Sequence, residues 1–331
     1  MIRNIKTSVH NIALSLIFFL FVGISSVMAQ VAFPNRPITW VVPYAAGGAT
    51  DVLVRIIARK LTEDLGQSVV VNNKPGGGTM IAAQFVARAP ADGYTLLAAV
   101  VANMATAPLL SLSPAGYDPI KDFDAISLIT SNPLLLVASK SSNINKLSDL
   151  LRLAKEKPGQ LAIASYGQGT PSHLGIELLK VAAGIDVIHV PYKGSAPALV
   201  DLLGGRVPLM MDILPSHIKT LERGDVVGLA VGQKTRSALA PRIPTFQEEG
   251  VAGLDATTWV GVVGPAGMPK EAVDRLNLAF RRALADPQVI ESLLTQGMPA
   301  LHTSAQDFNI MIKSDYAKWS GIIKAANIKP E

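Results

Sequence analysis

The residues best suited to chemistry in this 331-residue chain gather at four short junctions, each between an apolar run and an amphipathic one. They are Tyr44-Ala45-Ala46-Gly47-Gly48-Ala49-Thr50-Asp51, Pro75-Gly76-Gly77-Gly78-Thr79, Ser165-Tyr166-Gly167-Gln168-Gly169-Thr170-Pro171-Ser172 and Pro191-Tyr192-Lys193-Gly194-Ser195-Ala196-Pro197. Each sets glycine, and often a hydroxyl, where a strand turns into a helix. The first backbone N–H groups of a helix lack internal partners and carry its positive dipole end, so such a place can hold an anion without an arginine. A phosphate loop, a dinucleotide loop and a carboxylate cradle all use this geometry. So does an ordinary tight turn, and a single junction is compatible with either reading.

The better-defined alternatives fail where their chemistry is strict. Gly167-Gln168-Gly169 follows an apolar run and opens a helix, but Ser172 stands where a dinucleotide fold needs its third glycine. The next strand closes at Val190-Pro191-Tyr192 with no acidic residue for a ribose. The chain has no glycine-lysine-serine/threonine phosphate loop and no GxSxG nucleophile elbow. It has no cysteine, which excludes disulfides, thiolate metal sites, cysteine nucleophiles and a lipid-modified N-terminal cysteine. His173, His189, His217 and His302 show no metal-ligand spacing, and no pair of carboxylates is set for acid–base work. His173 begins a helix beside the glycine loop, where it either donates to a ligand or braces the loop. His189 reads as structural, and Asp212, ending a strand, as a helix cap. With no nucleophile, metal or cofactor loop, a binding protein without cofactor is expected rather than an enzyme.

The elements that must position these junctions alternate. Strands are expected at Ile38 to Val42, Val69 to Val71 and Tyr94 to Val101. Between them lie helices from Val52 to Leu65, capped by Thr50 or Asp51, and from Met80 to Ala89. The pattern restarts with strands at Leu134 to Ala138, Leu161 to Ala164, Val187 to Val190, Val207 to Met211 and Val226 to Val231. Helices Lys146 to Glu156, Ser172 to Ala183, Ala198 to Leu203 and Leu214 to Arg223 intervene. A strand at Trp259 to Val263 and helices Lys270 to Ala285, Pro287 to Gln296 and Ala305 to Ala326 complete the chain. Short apolar runs between helices argue for an α/β fold with mostly parallel sheets buried on both faces. No low-complexity linker separates two halves, so the chain is expected to cross between two lobes more than once. The expected division is residues 30–130 with 253–331 as lobe one, and 131–252 as lobe two.

The N-terminus reads as a leader. Arg3 and Lys6 precede the apolar run Ile12 to Val22, and Val27-Met28-Ala29 ends in a cleavage signature, so residues 1–29 are expected to be a cleaved signal peptide. The formal charge of +5 falls to +3 with the loss of Arg3 and Lys6, since no acidic residue goes with them. Lysine and arginine are scattered without interleaved aromatics, which gives no support to nucleic-acid binding. A mild positive bias is compatible with anionic ligands.

Taken in order, several short motifs resemble the Bug-type periplasmic solute receptors of tripartite tricarboxylate transporters, over nearly the whole mature chain. They include Phe33-Pro34-Asn35-Arg36-Pro37, Val42-Pro43-Tyr44 leading to Gly47-Gly48 and Asp51, Asn73-Lys74-Pro75-Gly76 and Asp92-Gly93-Tyr94-Thr95-Leu96. Further along come Tyr117-Asp118-Pro119, Lys157-Pro158-Gly159, Val190-Pro191-Tyr192-Lys193-Gly194, Asp201-Leu202-Leu203-Gly204-Gly205 and Pro265-Ala266-Gly267. The resemblance implies a two-lobed type II periplasmic binding protein that closes like a flytrap on a small carboxylate. It also implies a monomer in a Gram-negative periplasm that delivers the ligand to integral membrane subunits of a transporter. A sensor presenting an organic acid to a membrane kinase is the alternative role.

The same resemblance implies site residues. Tyr44 would form an aromatic wall, and Ala46 and Gly48 would donate amides. Ser165, Gly169, Thr170 and His173 would face them from the other lobe, with Gly194, Ser195 and Asp212 serving closure and water-bridged contacts. Two departures from the family pattern stand out. Ala45-Ala46 replaces the usual prolines, and Val100-Val101-Ala102-Asn103-Met104-Ala105-Thr106 replaces a polar loop. Asn103 and Thr106 then remain as polar partners, and Met104 can adapt to an apolar or aromatic ligand body. The other reading of this stretch is that its apolar residues only pack the lobe.

Overall fold

Short strands rich in Val, Ile and Leu between amphipathic helices pack as α/β layers. The computed structural model describes residues 33–192, 194–325 and 328. All of its strands and helices belong to the unit formed by residues 36–331. The leader expected over residues 1–29 lies outside the described residues.

β1 (Ile38–Val42) is almost wholly buried and pairs in parallel with β2 (Val69–Asn73) and with β3 (Thr95–Val100). α1 (Ala49–Leu65) buries Leu53, Val54, Ile57, Ala58 and Leu61, one stripe at helical spacing. Gly66 closes it at φ 66° by donating its N–H to Thr62 O, a left-handed cap that a side chain would strain. After β2 a 3₁₀ turn (Gly77–Thr79) leads into α2 (Met80–Ala87). After β3 the chain enters a π-helical turn (Ala102–Thr106) and the short α3 (Ala107–Leu110).

The largest departure from the expected pattern is β4, which runs unbroken from Phe123 to Ser139. Only its last third reads as a strand from sequence, because Ser127, Thr130, Ser131, Asn132 and Pro133 interrupt the apolar run. Most of those polar side chains are nonetheless buried, and Pro133, which has no N–H to offer, sits where the strand passes from one set of partners to another. Phe123 to Pro133 pairs with β9 (Thr257–Pro265), while Leu134 to Ser139 pairs with β7 (Leu209–Ile213) on one side and β8 (Val226–Val231) on the other. One sheet therefore reads β2-β1-β3-β9-β4 and the other β8-β4-β7-β5-β6, with β5 (Ala162–Ser165) and β6 (Ile188–Pro191) at the far edge.

Sheet pairing is mixed rather than mostly parallel. β1–β2, β1–β3, β5–β6 and β5–β7 are parallel, while β3–β9, β4–β9, β4–β7 and β4–β8 are antiparallel. The chain leaves the first sheet along β4 and returns along β9, so these two strands must run in opposite senses and need no helical crossover. The second sheet carries α4 (Leu147–Glu156), α5 (Pro171–Ala183), α6 (Ser195–Leu203) and the short α7 (Ile218–Glu222). The chain ends in α8 (Lys270–Ala285), α9 (Pro287–Thr295) and α10 (Ala305–Ala325). α10 is tied to β9 through Asp315, whose Oδ2 accepts both indole N–H groups of Trp259 (2.9 Å) and Trp319 (3.0 Å).

Candidate functional site

The first junction is braced from within. Asp51, 2% exposed, lies in the first turn of α1 and does not cap it; the cap position belongs to Gly48. Asp51 Oδ2 accepts from the Gly47 N–H (2.8 Å) and from Arg55 Nε (2.9 Å), and its Oδ1 accepts from Asn73 Nδ2 (2.9 Å). The Arg55 guanidinium, helped by the Gly47 amide and Asn73, holds the Asp51 carboxyl down at about 2. Gly47, at φ +84°, is the position that requires glycine, whereas Gly48 has an ordinary extended φ of −74° and space for a Cβ. With Gly48 offering no side chain, the start of α1 has no side-chain cap.

The two junctions of the second sheet behave differently. At α5, Thr170 Oγ1 accepts from the His173 N–H (3.4 Å) and donates to Gly167 O (2.6 Å), so this helix start supplies its own cap. Ser165 is fully buried with its Oγ shared between Gly167 and His189 Nε2 (2.6 Å). His173 Nδ1 accepts from the Gly169 N–H (3.1 Å), and its ring stacks on His189 at 4.0 Å between centroids. Of the two roles open to His173, these contacts describe bracing. Burial pushes its pKa down to about 4, with Lys180 adding to the effect, so the ring is neutral and can accept that N–H. At α6, by contrast, Gly194 caps with no side chain, and Ser195 Oγ donates to Asp212 Oδ1 (2.9 Å). Asp212 is fully buried and also accepts from the Ile213 N–H (2.7 Å), while its Oδ2 lies 3.1 Å from His217 Nε2.

Two cavities open along these junctions. The first, about 290 Å³, is lined by Ala49 and Thr50 from the start of α1, Ser195 from the start of α6, Asp212, Tyr166, and Asn132 and Thr258 from β4 and β9. Asn132 and Thr258 are register partners on the two strands that pass between the sheets. The second cavity, about 390 Å³, is lined by Tyr44, Gly77 to Met80, Ala102, Thr106, Leu110, Gly169 and Thr170. The same two loops wall both: Tyr44 faces one and Thr50 the other, as do Gly169 and Tyr166. Burial first, then the nearby Asp212 carboxylate and Tyr44 phenol, raise Tyr166 well above its usual range, and desolvation pushes Tyr44 up to about 12. Both phenols are thus neutral hydrogen-bonding groups.

Sequence comparison places the chain. Residues 53–328 match the profile of the tripartite tricarboxylate transporter family receptor. The chain belongs to this receptor family. A curated relative, protein BugT of Bordetella pertussis, is 33% identical over 317 residues, covering 95% of this chain and 96% of that protein. Among solved structures, R. palustris Rpa4515 with adipate is 38% identical at a TM-score of 0.78, covering 90% of this chain and all of that one. MatC of Rhodopseudomonas palustris with bound malate is 31% identical at a TM-score of 0.74, covering 88% of this chain and all of that one. Bug-type receptors of this family are two-lobed α/β solute-binding proteins rather than enzymes, and the fold of this chain is theirs.

Within this receptor fold the expected site residues separate into groups. Tyr44, Gly169 and Thr170 line the second cavity, and Ser195 and Asp212 line the first. Ala46 and Gly48 are exposed on the loop beside them, Ser165 and His173 stand behind the lining, and Gly194, half-buried, holds the cap position of α6 with open space where a Cβ would be. Asn103 lies apart from both linings. It is fully buried, its Oδ1 accepts the Val100 N–H (2.9 Å), and its Nδ2 donates to Ala98 O (3.3 Å). The π-helical turn rotates Asn103 and Met104 into the core and leaves Ala102 and Thr106 on the cavity wall. Asn132, Thr258 and Tyr166 were not expected. Tyr166 belongs to one of the four junctions, but the two strand residues carry no local signal, because their position depends on the passage of β4 and β9 between sheets.

Proposed function

We propose that this chain is a periplasmic receptor, exported by a cleaved leader over residues 1–29, that binds a small di- or tricarboxylate between two lobes and hands it to the membrane subunits of a transporter. On this reading the lobes are residues 30–130 with 253–331, and 131–252, with β4 and β9 as the strands about which they rotate. The observation that carries it is the pair of helix starts, α1 and α6, that share one cavity and are capped by glycine. Unpartnered N–H groups at both starts, with the Thr50 and Ser195 hydroxyls, would hold a carboxylate by charge-assisted hydrogen bonds without a lysine or arginine. Adipate and malate in two related receptors support the ligand class. The loops that wall the cleft would close over the ligand and change the outer surface that a transport partner meets.

Mass spectrometry of ligand retained by the gently purified protein, joined to uptake of that ligand by cells with and without the gene, tests the proposal. A retained small carboxylate whose uptake is lost with the gene is expected. Normal uptake without the gene, or a retained ligand with no carboxylate, would overturn it.

A further inference from the structure

α2 is a surface helix without a polar face. Its sequence, Met80-Ile81-Ala82-Ala83-Gln84-Phe85-Val86-Ala87, holds one polar residue, where a helix packed on one side usually turns charged groups to water. Ala82, Ala83 and Val86 are buried, so Ile81 and Phe85, four residues apart, share the outward side at 47% and 43% exposed. Val70 of β2 is 49% exposed and faces the same way. The Asn73 side chain hydrogen-bonds to Asp51 and Arg55 of α1, and alternation along the strand turns Val70 to the opposite side of the sheet. Lys74 follows that alternation too, and its Nζ lies 4.2 Å from the centre of the Phe85 ring.

The charge around these side chains has one sign. Ile81, Phe85 and Arg88 line a shallow cavity of about 510 Å³ whose wall contains no carboxylate. Neither Lys74 nor Arg88 has an ion pair among the described residues. Three exposed apolar side chains beside two unpaired cations make a surface that an acidic, apolar segment complements. The patch also adjoins the ligand cleft. A Cβ on Gly76 would stand 2.8 Å from Ile81 Cδ1, and Gly77, Gly78 and Thr79 of the same turn line the second cavity.

We infer that the outward face of α2, with Val70, Lys74 and Arg88, is the surface on which an acidic, apolar periplasmic segment of the transporter's membrane subunits docks. This rests on the receptor reading above and names the surface that reading requires. Carboxylates of the segment pair with Lys74 and Arg88, and its apolar side chains cover Val70, Ile81 and Phe85. An anionic lipid leaflet offers similar chemistry but takes up no ligand. A transporter does, and at Ile81 it meets the turn that lines the cavity.

Because the chain has no cysteine, Pro90→Cys carries a single thiol-attached photocrosslinker at the edge of the patch. Illumination in intact cells, with the joined peptides identified by mass spectrometry, tests the inference. The expected product joins position 90 to a periplasmic segment of an integral membrane subunit in which aspartate or glutamate neighbours apolar residues. Adding Lys74→Glu and Arg88→Glu should reduce that product about tenfold, whereas Lys74→Arg with Arg88→Lys, which keeps both charges, should preserve it. Both cations are at the surface, so the reversed variant should melt within about 3 °C of wild type. The identity of the joined segment needs no charge variant to fold. Products with lipid alone, a joined segment without acidic residues, or a product that survives charge reversal would overturn the docking surface and leave the receptor reading standing. Normal ligand uptake without the gene would overturn the receptor reading, and this inference falls with it.

Discussion

At the scale of single residues, the site depends on groups kept neutral or charged by their surroundings. His173 must be neutral at Nδ1 to accept the Gly169 N–H, and burial depresses its pKa from 6.5 to about 4. The unfolded chain therefore takes up this proton first as pH falls. Stability from this group is complete above pH 6.5 and is lost progressively towards pH 4, by about 3 kcal/mol in all. Melting temperature measured against pH should fall across that window in the wild type and less steeply in His173→Gln; identical slopes would rule out His173 as the source of the loss. Asp51 acts in a lower window. Its carboxyl is depressed from 3.8 to about 2, so its contribution holds above about pH 4 and is lost as pH falls towards 2. Asp51→Asn should cost about 2 kcal/mol in urea unfolding at pH 7, and a loss below about 0.5 kcal/mol would contradict the brace. Glycine and hydroxyls at strand-to-helix boundaries marked the four junctions in the sequence, and residues of all four line the two cavities. The sequence did not disclose which glycine is constrained, nor that Asn103 turns inward, because both depend on backbone angles that residue type alone does not set.

At the scale of elements, strands and helices with uniform apolar runs were legible, and β4 was not. Its Pro133 and buried Ser127, Thr130 and Asn132 read as a loop until the neighbouring strands are known. The helix expected from Leu214 to Arg223 divides into a 3₁₀ turn (Leu214–His217) and α7, with Pro215 at the start. The junction of α10 with β9 rests on one carboxylate. Asp315 is 6% exposed and takes the N–H groups of Trp259 and Trp319, with Lys318 Nζ at 2.5 Å. Replacing it by alanine strands two buried indole donors and a lysine, at a cost of about 3 kcal/mol. Urea unfolding of Asp315→Ala should show that loss, and Asp315→Asn, which keeps an acceptor, a smaller one. A change below about 1 kcal/mol in Asp315→Ala would mean that packing alone holds α10 in place. Because Trp259 lines the first cavity, the alanine variant should also weaken ligand binding.

At the scale of the whole molecule, the two sheets share β4, and β4 with β9 form the paired strands by which the chain leaves and re-enters the first sheet. Two lobes were legible from a pattern that stops and restarts without a linker. The sharing of one long strand was not, since pairing partners far apart in sequence leave no local trace. Rotation about these strands would bring the start of α1 and the start of α6 onto the two sides of one carboxylate, with Asn132 and Thr258 as the floor. A crystal structure of the protein with its retained ligand is the most direct measurement. It should place carboxylate oxygens within hydrogen-bonding distance of the Ala49 or Thr50 amide on one side and of Ser195 on the other. A ligand bound elsewhere, or held without contact to either helix start, would contradict a carboxylate site built from those glycine junctions.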